Sequence, residues 1–457
     1  MNFYTPLGLI RQALWWDPMI SKINNSLKSI DYKMYFALLI LGFVPTIYTS
    51  LRVFFVGQLP SEWSYSIAGQ LSWVNLIYEI LMEAILLPLF FFMGKAKDNN
   101  VEFVNRTRTG LIVTAGIYSA LSAVVFIFTK PLLLSMAADP SIISASARYI
   151  RIESIANVIS VLSQFILVAL VTLNKSKYLY GLTALRFVLC VLFDLFFVSS
   201  LPFSLQLGVN GIGFSNIVVN ALVFATSLLF LSKENIPIFK RSKLDFKWIK
   251  DFFKIGTISG FESFVRNVAY IVMISRMVNV VGEQGTYWVA NNFIWGWLLL
   301  PVLQLGELIK KDVATDENNI QKNTLGYIAI TTIISLLWLI SIPLWKPFFT
   351  IILGFNEIEK LHKLVLILIG FYILFAVQNI FDSTFYGLGK TNYMLFESII
   401  TNSIYYGTAF VLYSFGVWTP TLTSIALLFG IGNAFDCVVS LLAYIYLLRK
   451  NKINILI

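Results

Sequence analysis

Cysteine, histidine and charged residues are scarce in this chain of 457 residues. It has two cysteines and one histidine, which excludes a disulfide framework and a zinc site of clustered histidines. Only 13% of the residues are charged, whereas 58% are hydrophobic. A soluble protein does not hide so much apolar side chain, because its surface needs polar and charged groups. The composition therefore indicates a protein whose main solvent is the lipid bilayer.

Motifs for nucleotide or catalytic chemistry are also missing from the sequence. It has no Gly-rich phosphate-binding motif, no nucleophile elbow and no metal-ligand motif, and no polar stretch long enough for a nucleotide-binding domain. An ATP-driven pump and an enzyme are therefore not expected, and neither is a cofactor or a bound metal. Cys190 and Cys437 fall in apolar runs, where we expect them to be buried as small hydrophobic residues.

Long apolar runs follow one another along the chain. About 20 consecutive apolar residues form a helix long enough to cross the hydrocarbon core of a bilayer. The fold class is therefore expected to be an all-α polytopic membrane protein with twelve membrane-spanning helices. These are predicted at 34–56, 66–93, 109–129, 150–173, 178–200, 209–232, 252–281, 285–306, 324–349, 361–388, 392–415 and 419–448.

The segment before the first run, residues 1–33, is expected to be cytoplasmic. Trp15 and Trp16 stand near Arg11 and Lys22, so the segment is either an amphipathic helix in the headgroup layer or an unstructured tail. The first run is too long for the core of a signal peptide, so no cleaved signal is expected.

Lysine and arginine are distributed asymmetrically about the predicted spans. Of the 34, 24 fall on the side that carries both termini, 6 on the opposite side and 4 within the spans. The positive-inside rule then predicts a multi-pass protein of the inner or plasma membrane with both termini in the cytoplasm. The net charge of +10 is thus a topology signal, and no nucleic-acid partner is expected.

The chain resembles itself at an offset of about 214 residues. LLPLFFFMGKAKDNN (86–100) parallels LLPVLQLGELIKKDVATDENN (299–319), and LNKSKYL (173–179) parallels LGKTNYM (388–394). Each matched stretch includes the end of an apolar run and the polar loop beside it. The alternative explanation is chance similarity among apolar segments.

The repeat predicts two six-helix bundles, at 34–232 and 252–448. A basic cytoplasmic linker at 233–251 joins them, and a cytoplasmic tail follows at 449–457. We expect the bundles to be related by a pseudo-twofold axis along the membrane normal. Many secondary transporters follow this plan, with the solute path between or within the halves.

Several stretches resemble the multidrug and toxic compound extrusion (MATE) transporters. They correspond to the first two helices, the fourth helix with its following loop, the fifth and sixth helices, and the start of the seventh. The stretches are RVFFVGQL, SIAGQLSWVNLIYEILMEAILLPLFFFMGKAK, YIRIESIANVISVLSQFILVALVTLNKSKYL, VLFDLFFV, GVNGIGFSN and KIGTISGFESF. The resemblance covers most of the chain through many short matches. It implies an exporter of amphiphilic, often cationic, organic compounds that is driven by protons or sodium ions.

The N half departs from the family pattern at its cation site. Where the family has an Asp in the first helix, this chain has Arg52. In the DinF-like branch an Asn and an Asp of the fifth helix join that acid; the Asp matches Asp194, but the Asn position is Cys190. A family Thr of the sixth helix corresponds to Asn216. The coupling ion therefore cannot be carried over from this branch.

The C half departs from the NorM-like pattern as well. An acid of the seventh helix matches Glu262, but the tenth-helix Asp has no counterpart at its depth, because Asp382 lies one to two turns further along. The sequence thus resembles the family while differing from both familiar branches.

Ionisable residues in membrane spans are costly, so a functional role is the first hypothesis for each. Asn75, Glu79 and Glu83 are four residues apart and share a helix face. They form either a proton or cation-substrate site in the N-half cavity or carboxylates that pair with Arg52 to hold the bundle together. The two interpretations are compatible.

Other polar residues favour a wet interior in the N half. Arg52 is expected to neutralise Asp194 as a built-in cation, or else to contact substrate. Asn216 stands in the sixth span. The fourth span repeats polar residues along one side, namely Glu153, Asn157, Ser160 and Gln164. The alternative for the uncharged residues is interhelical hydrogen bonding.

The C half supplies secondary candidates. Glu262 and Arg266 are four residues apart and are expected to satisfy one another as a pair. Asp382 is a second candidate for a titrating acid. Glu397 and Asp436 lie nearer the predicted span ends, where an interfacial position is expected.

These observations predict a monomeric secondary active exporter that works by alternating access. Its substrates would be small amphiphilic compounds, its driving ion H⁺ or Na⁺, and its other partners membrane lipids. The alternative is a lipid-linked oligosaccharide flippase of the same superfamily, in which four intramembrane arginines neutralise a diphosphate headgroup. Internal duplication and buried charges argue against a non-transporting structural or receptor-like protein.

Overall fold

Helices account for the regular structure of the chain. A computed structural model describes residues 19–59, 63–173, 175, 177–238 and 243–454, and within these ranges there is no strand. Nine spans are uninterrupted: α1 Tyr32–Gly57, α2 Ser64–Ala96, α3 Asn100–Ser135, α4 Ile143–Thr172, α5 Lys177–Phe197, α6 Val209–Lys233, α9 Asn319–Ile351, α10 Ile358–Gly387 and α12 Leu422–Lys450.

Three further spans contain a π-helical turn. They are α7 (Lys247–Tyr270, Ile271–Ser275 and Arg276–Val280), α8 (Gln284–Phe293, Ile294–Leu298 and Leu300–Thr315) and α11 (Thr391–Ile400, Thr401–Tyr406 and Gly407–Ser414). In α8 the two long segments meet at 52°. Pro301 stands in the first turn of the second segment, where its missing N–H costs nothing. Turns of this kind often mark functional sites.

The predicted set of twelve spans is confirmed. The nine uninterrupted helices of the described residues are each long and apolar enough to cross a membrane, and bent α8 makes a tenth. The sequence also predicted α7, which carries Glu262 and Arg266, and α11, which a π turn divides into short pieces, at 252–281 and 392–415. A large boundary error is in α3, predicted at 109–129 and observed at Asn100–Ser135. The helix begins earlier because Asn99 accepts a hydrogen bond from the Glu102 N–H and caps it.

Each half has its own apolar core. In the N half, Trp73 of α2, Leu133 of α3 and Phe165 of α4 belong to one buried apolar cluster. In the C half the core runs through α7 to α10 and α12, with Trp338 and Phe385 among its large side chains. This arrangement is the predicted pair of six-helix bundles, α1–α6 and α7–α12.

The bundles meet closely where α2 crosses α7. A Cβ atom added at Gly256 would lie 2.2 Å from the carbonyl oxygen of Ala84, and one added at Gly260 would lie 2.8 Å from the Ala84 Cβ. Glycines four residues apart let two membrane helices approach at backbone distance. The crossing therefore depends on the absence of side chains at these positions.

Alanine at Gly256 is expected to destabilise the protein by about 1–3 kcal/mol, because the added methyl group has no room beside the α2 backbone. Gly116→Ala is the matched control, since no atom lies within 4 Å of the added methyl and helix propensity favours alanine. Thermal unfolding of the purified protein in detergent measures both. Equal midpoints for the two variants would refute the close crossing.

The halves also meet along α1 and α8. The Tyr35 hydroxyl donates to the carbonyl of Pro301 at 2.9 Å, and Thr46 donates to the carbonyl of Gly296 at 3.0 Å. Near the membrane side opposite the termini, Gln70 of α2 and Asn279 of α7 exchange two amide hydrogen bonds, at 2.7 and 3.2 Å. The interface therefore runs through the depth of the protein.

The N-terminal segment is described only in part. Residues 19–28 are helical, and the Ser26 hydroxyl accepts a hydrogen bond from the Gly326 N–H of α9 at 2.8 Å. The predicted interfacial helix rests mainly on residues 1–18, which lie outside the described residues. So do 239–242 of the predicted linker and 455–457 of the predicted tail.

Candidate functional site

Four charged residues form an ionic cluster between the two halves. Arg266 of α7 lies 2.7 Å from the Glu83 carboxylate and 3.4 Å from that of Glu79, both on α2. Its other terminal nitrogen lies 3.6 Å from Glu262, one turn away on α7. We call these four residues the cross-half cluster.

The cross-half cluster changes two of the predicted pairings. Glu79 and Glu83 pair with Arg266 of the other half, so the alternative interpretation that they pair with Arg52 is wrong. The expected pair of Glu262 and Arg266 exists, but its contact is longer than that to Glu83. Asn75, on the same face of α2, is exposed. Helical spacing identified the faces correctly, but it did not identify which helix lies opposite.

A second ion pair lies inside the N half. Arg52 of α1 donates to both carboxylate oxygens of Asp194 on α5, at 2.6 and 3.2 Å. Asp194 is 1% exposed, and the Arg52 guanidinium stacks 5.6 Å from the Tyr48 ring centre. The Cys190 sulfur lies 3.9 Å from the guanidinium. The expectation that Arg52 acts as a built-in cation for Asp194 is confirmed.

The polar row of α4 lies near this pair. The Asn216 amide of α6 donates to the buried Glu153 carboxylate at 2.7 Å, and the Gln164 amide donates to the Ser160 hydroxyl at 3.3 Å. The buried Asn157 amide nitrogen has no hydrogen-bond partner in the described part of the chain. Interhelical bonding thus accounts for Asn216, whereas Asn157 keeps a free donor.

A pocket of about 290 Å³ opens beyond the Arg52–Asp194 pair, on the side opposite the termini. The ends of α1, α2, α4, α5 and α6 surround it. Its lining includes Gln58, Ser64, Ala145, Val198, Ser199 and Asn210. Val198 lies one helical turn beyond Asp194, so the pocket is a short vestibule above the buried pair.

Three acids come together in the C half, from α10, α11 and α12. The Gln378 amide donates to Asp436 at 2.6 Å and to Asp382 at 3.2 Å. Thr401 donates to Asp436 and Ser440 donates to Asp382, each at 2.6 Å. We call Asp382, Asp436 and Glu397 the C-half triad.

The third member of the triad is buried without a cation. Glu397 is 3% exposed, and its Oε1 has no hydrogen-bond partner among the described residues. Within the same residues, no lysine, arginine or histidine forms an ion pair with Asp382, Asp436 or Glu397. Asp382 and Asp436 are therefore held by hydrogen bonds from neutral side chains, with no basic residue of the described part of the chain beside them.

The sequence-based expectation for Asp436 was wrong, because it was expected at the membrane interface and instead stands midway along α12, where it accepts a hydrogen bond from Thr401. Glu397, which was also expected at the interface, lies near the start of α11 and is buried between helices. Their helical spacing was a usable signal: Glu397 with Thr401 on α11, and Asp436 with Ser440 on α12, each repeat at four residues.

The sequence and the fold of this chain are similar to those of known proteins. Residues 47–196, which carry Arg52 and Asp194, match the family model MatE. A mutant of the Vibrio cholerae MATE transporter VcmN is similar over 95% of this chain and 98% of its own, at 13% identity and a TM-score of 0.66. Residues 47–196 are therefore similar to the MatE family, and the whole chain has the fold of the MATE transporters. The predicted MATE resemblance is confirmed.

Other MATE structures agree with this fold. An inward-facing multidrug resistance MATE family transporter of the MOP superfamily is 17% identical, with a TM-score of 0.66 and coverage of 93% of this chain and 96% of its own. A MATE in complex with MaD3S is 17% identical, with a TM-score of 0.60 and coverage of 92% and 96%. No curated protein matches the sequence. These likenesses show the fold, and the long apolar helices indicate a multi-pass membrane protein.

Proposed function

We propose that this protein is a secondary active exporter of amphiphilic organic cations. It carries them across the cell membrane by alternating access, in exchange for protons or sodium ions. The observation that carries the proposal is the cross-half cluster, in which three carboxyl groups of two different bundles surround one guanidinium. Such an excess of acid inside a membrane calls for a mobile cation to balance it.

The cluster lies where alternating access needs a switch. Glu79 and Glu83 move with the N half, whereas Glu262 and Arg266 move with the C half. A cation or proton that binds these acids weakens their hold on Arg266 and so favours separation of α2 from α7. Binding drives the change only if the ion or substrate has different affinities for the two arrangements.

Proton exchange has one feature in its favour. Glu79 and Glu83 lie one helical turn apart and share the guanidinium of Arg266, and two neighbouring carboxylates repel one another unless one of them carries a proton. This pair is therefore a candidate proton carrier, with Asn75 beside it on the same face. The Arg52–Asp194 pair is not a proton carrier in this proposal, because an arginine does not release its proton in proteins.

The charge distribution disfavours the flippase alternative. A diphosphate headgroup needs free guanidinium groups, but Arg52 is paired with Asp194, and Arg266 with acids of both halves. The C-half triad adds three acids to the same interior. These features favour cationic over anionic cargo.

Orientation and partners follow the sequence-based expectations. The excess of lysine and arginine on the side of the termini supports cytoplasmic termini in the inner or plasma membrane. Cargo would then enter from the cytoplasm or the inner leaflet. A single chain holds the complete set of residues described above, so we propose a monomer that needs no partner except lipid.

Efflux of ethidium from cells that lack their own pumps tests the proposal. Cells that express the protein are expected to extrude the dye faster than vector-only cells. Glu83→Gln is expected to lower efflux to near the vector level at equal expression, because it removes an acid of the cross-half cluster. Glu307→Gln is the matched control, since Glu307 pairs with Lys310 at the exposed surface. Wild-type efflux equal to vector would contradict cation export and favour the flippase.

A further inference from the structure

A cleft of about 440 Å³ lies on the surface of the N half, between α3 and α4. Its lining includes Ser122, Ala123 and Phe126 of α3 and Ser154 and Ile155 of α4. The small side chains at 122, 123 and 154 leave space between the two helices that larger side chains would fill. Phe126 and Ile155 are exposed, so the cleft is open to the surroundings of the bundle.

The position of the cleft on α4 places it against the bilayer. Ile155 and Ile159 of its lining are each two residues from Glu153 or Asn157, so helix geometry puts them on the opposite face. Glu153 is buried against α6, where it accepts a hydrogen bond from Asn216. The cleft face of α4 therefore points out of the bundle, where lipid is the solvent.

The walls of the cleft offer hydrocarbon surface. The Ser154 hydroxyl donates to the Arg151 carbonyl, and the Ser122 hydroxyl shares a hydrogen bond with the Tyr78 hydroxyl, each at 2.8 Å. Both hydroxyls are thus engaged within the protein. Apart from Ser119, the rest of the lining is aliphatic or aromatic. The cleft therefore suits a hydrocarbon chain rather than a polar solute.

Three basic residues gather at the end of the cleft that lies on the membrane side opposite the termini. Lys130 is one turn beyond Phe126 on α3, whereas Arg151 and Arg148 are one and two turns before Ile155 on α4. Since the two helices are antiparallel, these positions come together at one end. They stand at the ends of the two apolar runs, which is the level of the lipid headgroups.

Arg151 joins the two walls at this end. Its Nε donates to the Phe126 carbonyl at 3.0 Å, and its guanidinium lies 5.4 Å from the Phe126 ring centre. Its two terminal nitrogens have no hydrogen-bond partner in the part of the chain that the structure describes. A guanidinium held in this way can give two parallel hydrogen bonds to a phosphate group.

The protein does not balance the positive charge of these three residues. None of them forms an ion pair within the described residues. Asp139, the acid between them in the sequence, accepts hydrogen bonds within its own loop. By contrast, Lys346 and Lys360 on the same membrane side each pair with a glutamate. Unbalanced positive charge at this level favours an anionic partner from the membrane.

We propose that the cleft is a specific binding site for an anionic phospholipid of the leaflet opposite the termini. One acyl chain lies in the cleft between α3 and α4, and the phosphate binds Lys130, Arg148 and Arg151. Basic pockets between membrane helices bind anionic headgroups in this manner. The site shares no residue with the cross-half cluster or the C-half triad, so it is independent of the cargo.

Native mass spectrometry of the purified full-length protein tests the proposal. The protein is titrated in detergent with dioleoyl phosphatidylglycerol or dioleoyl phosphatidylcholine, whose chains are identical and whose headgroups differ in net charge. The anionic lipid is expected to bind about tenfold tighter or more. Lys130→Gln and Arg151→Gln are each expected to reduce this preference about fivefold, since each removes one charge from the headgroup site. Lys346→Gln removes a basic residue from the same membrane side and is expected to keep the preference.

A further variant tests the acyl chain separately from the headgroup. Ala123→Phe fills the cleft while all three basic residues remain, so it is expected to lower the affinity for both lipids. Ala123 is exposed, so the added ring does not crowd the core of the N half. Unchanged affinity in this variant would overturn the placement of a chain in the cleft.

Two other outcomes would overturn the site. One is equal affinity of the wild type for both lipids, or a preference that survives both Lys130→Gln and Arg151→Gln. The other is a wild-type dimer without lipid preference that Ala123→Phe dissociates, because a second copy of the chain would then occupy the cleft. Neither outcome affects the proposed export of cations, which the ethidium assay tests independently.

Discussion

Replacement of Arg266 with methionine is expected to reduce ethidium efflux to the level of vector-only cells. Arg266 is the only basic residue that ion-pairs with Glu79, Glu83 and Glu262 in the described part of the chain. Without it, the acids of α2 and α7 repel one another across the interface between the halves, so the arrangement seen here loses its attraction. Efflux rate at matched membrane expression is the measurement.

Two variants separate this role from a general effect on folding. Arg276→Met removes another arginine of α7, which donates to the Ser135 carbonyl at the exposed end of the helix, and it is expected to keep efflux. Combining Arg266→Met with Glu83→Gln lowers the excess of acid, so thermal stability should partly recover while efflux stays lost. Wild-type efflux by Arg266→Met would contradict a role for the cluster in transport.

Disruption of the Arg52–Asp194 pair is expected to produce the largest loss of stability. Removal of one partner of a buried ion pair typically costs about 3–5 kcal/mol, because the other charge stays buried without compensation. Asp194 is 1% exposed and receives both of its hydrogen bonds from Arg52. Arg52→Met should therefore be strongly destabilising, and Asp194→Asn should cause a loss of stability that is nearly as large.

A double-mutant cycle shows whether the pair is the cause. Arg52→Met combined with Asp194→Leu removes both charges and is expected to recover most of the stability lost in Arg52→Met alone. Thermal unfolding midpoints in detergent are measured for the wild type, the two single variants and the double variant. Additive losses in the double variant would contradict a direct coupling between the two side chains.

The sequence predicted the architecture well because bilayer spans follow simple physics. A helix must be long and apolar to cross the membrane, and its backbone must bond internally, so apolar runs identify the spans. Residues such as Arg52 and Asp194 could be paired in advance because the family resemblance aligned their positions. α7 and α11 were identified in the same way, although α7 carries Glu262 and Arg266 and a π turn divides α11.

The sequence predicted partners between helices poorly. Periodicity places Glu79 and Glu83 on one face of α2, but no local pattern states that α7 lies opposite that face. Arg52 and Arg266 are separated by the offset of the repeat, yet one pairs within its own half and the other pairs across the interface. Pairing therefore depends on the tertiary structure rather than on the repeat.

The acids divide into groups with different surroundings. Asp194 is matched by a fixed arginine, Glu153 accepts from the Asn216 amide, and the C-half triad relies on neutral donors. A fixed pair contributes to stability, whereas acids without a resident cation are available to protons and to cargo. This difference places the proposed transport chemistry on α2, α7 and α10–α12, and it gives the N-half pair a structural part.

Transport by the purified protein in liposomes tests the central claim most directly. A proton or a sodium gradient is imposed in turn, and the movement of a fluorescent organic cation is followed. We expect one of the two gradients to drive accumulation of the cation against its own concentration gradient, and Glu83→Gln to abolish it while Glu307→Gln does not. Absence of cation movement under both gradients, together with transfer of an anionic lipid-linked sugar by the same liposomes, would contradict the proposed function.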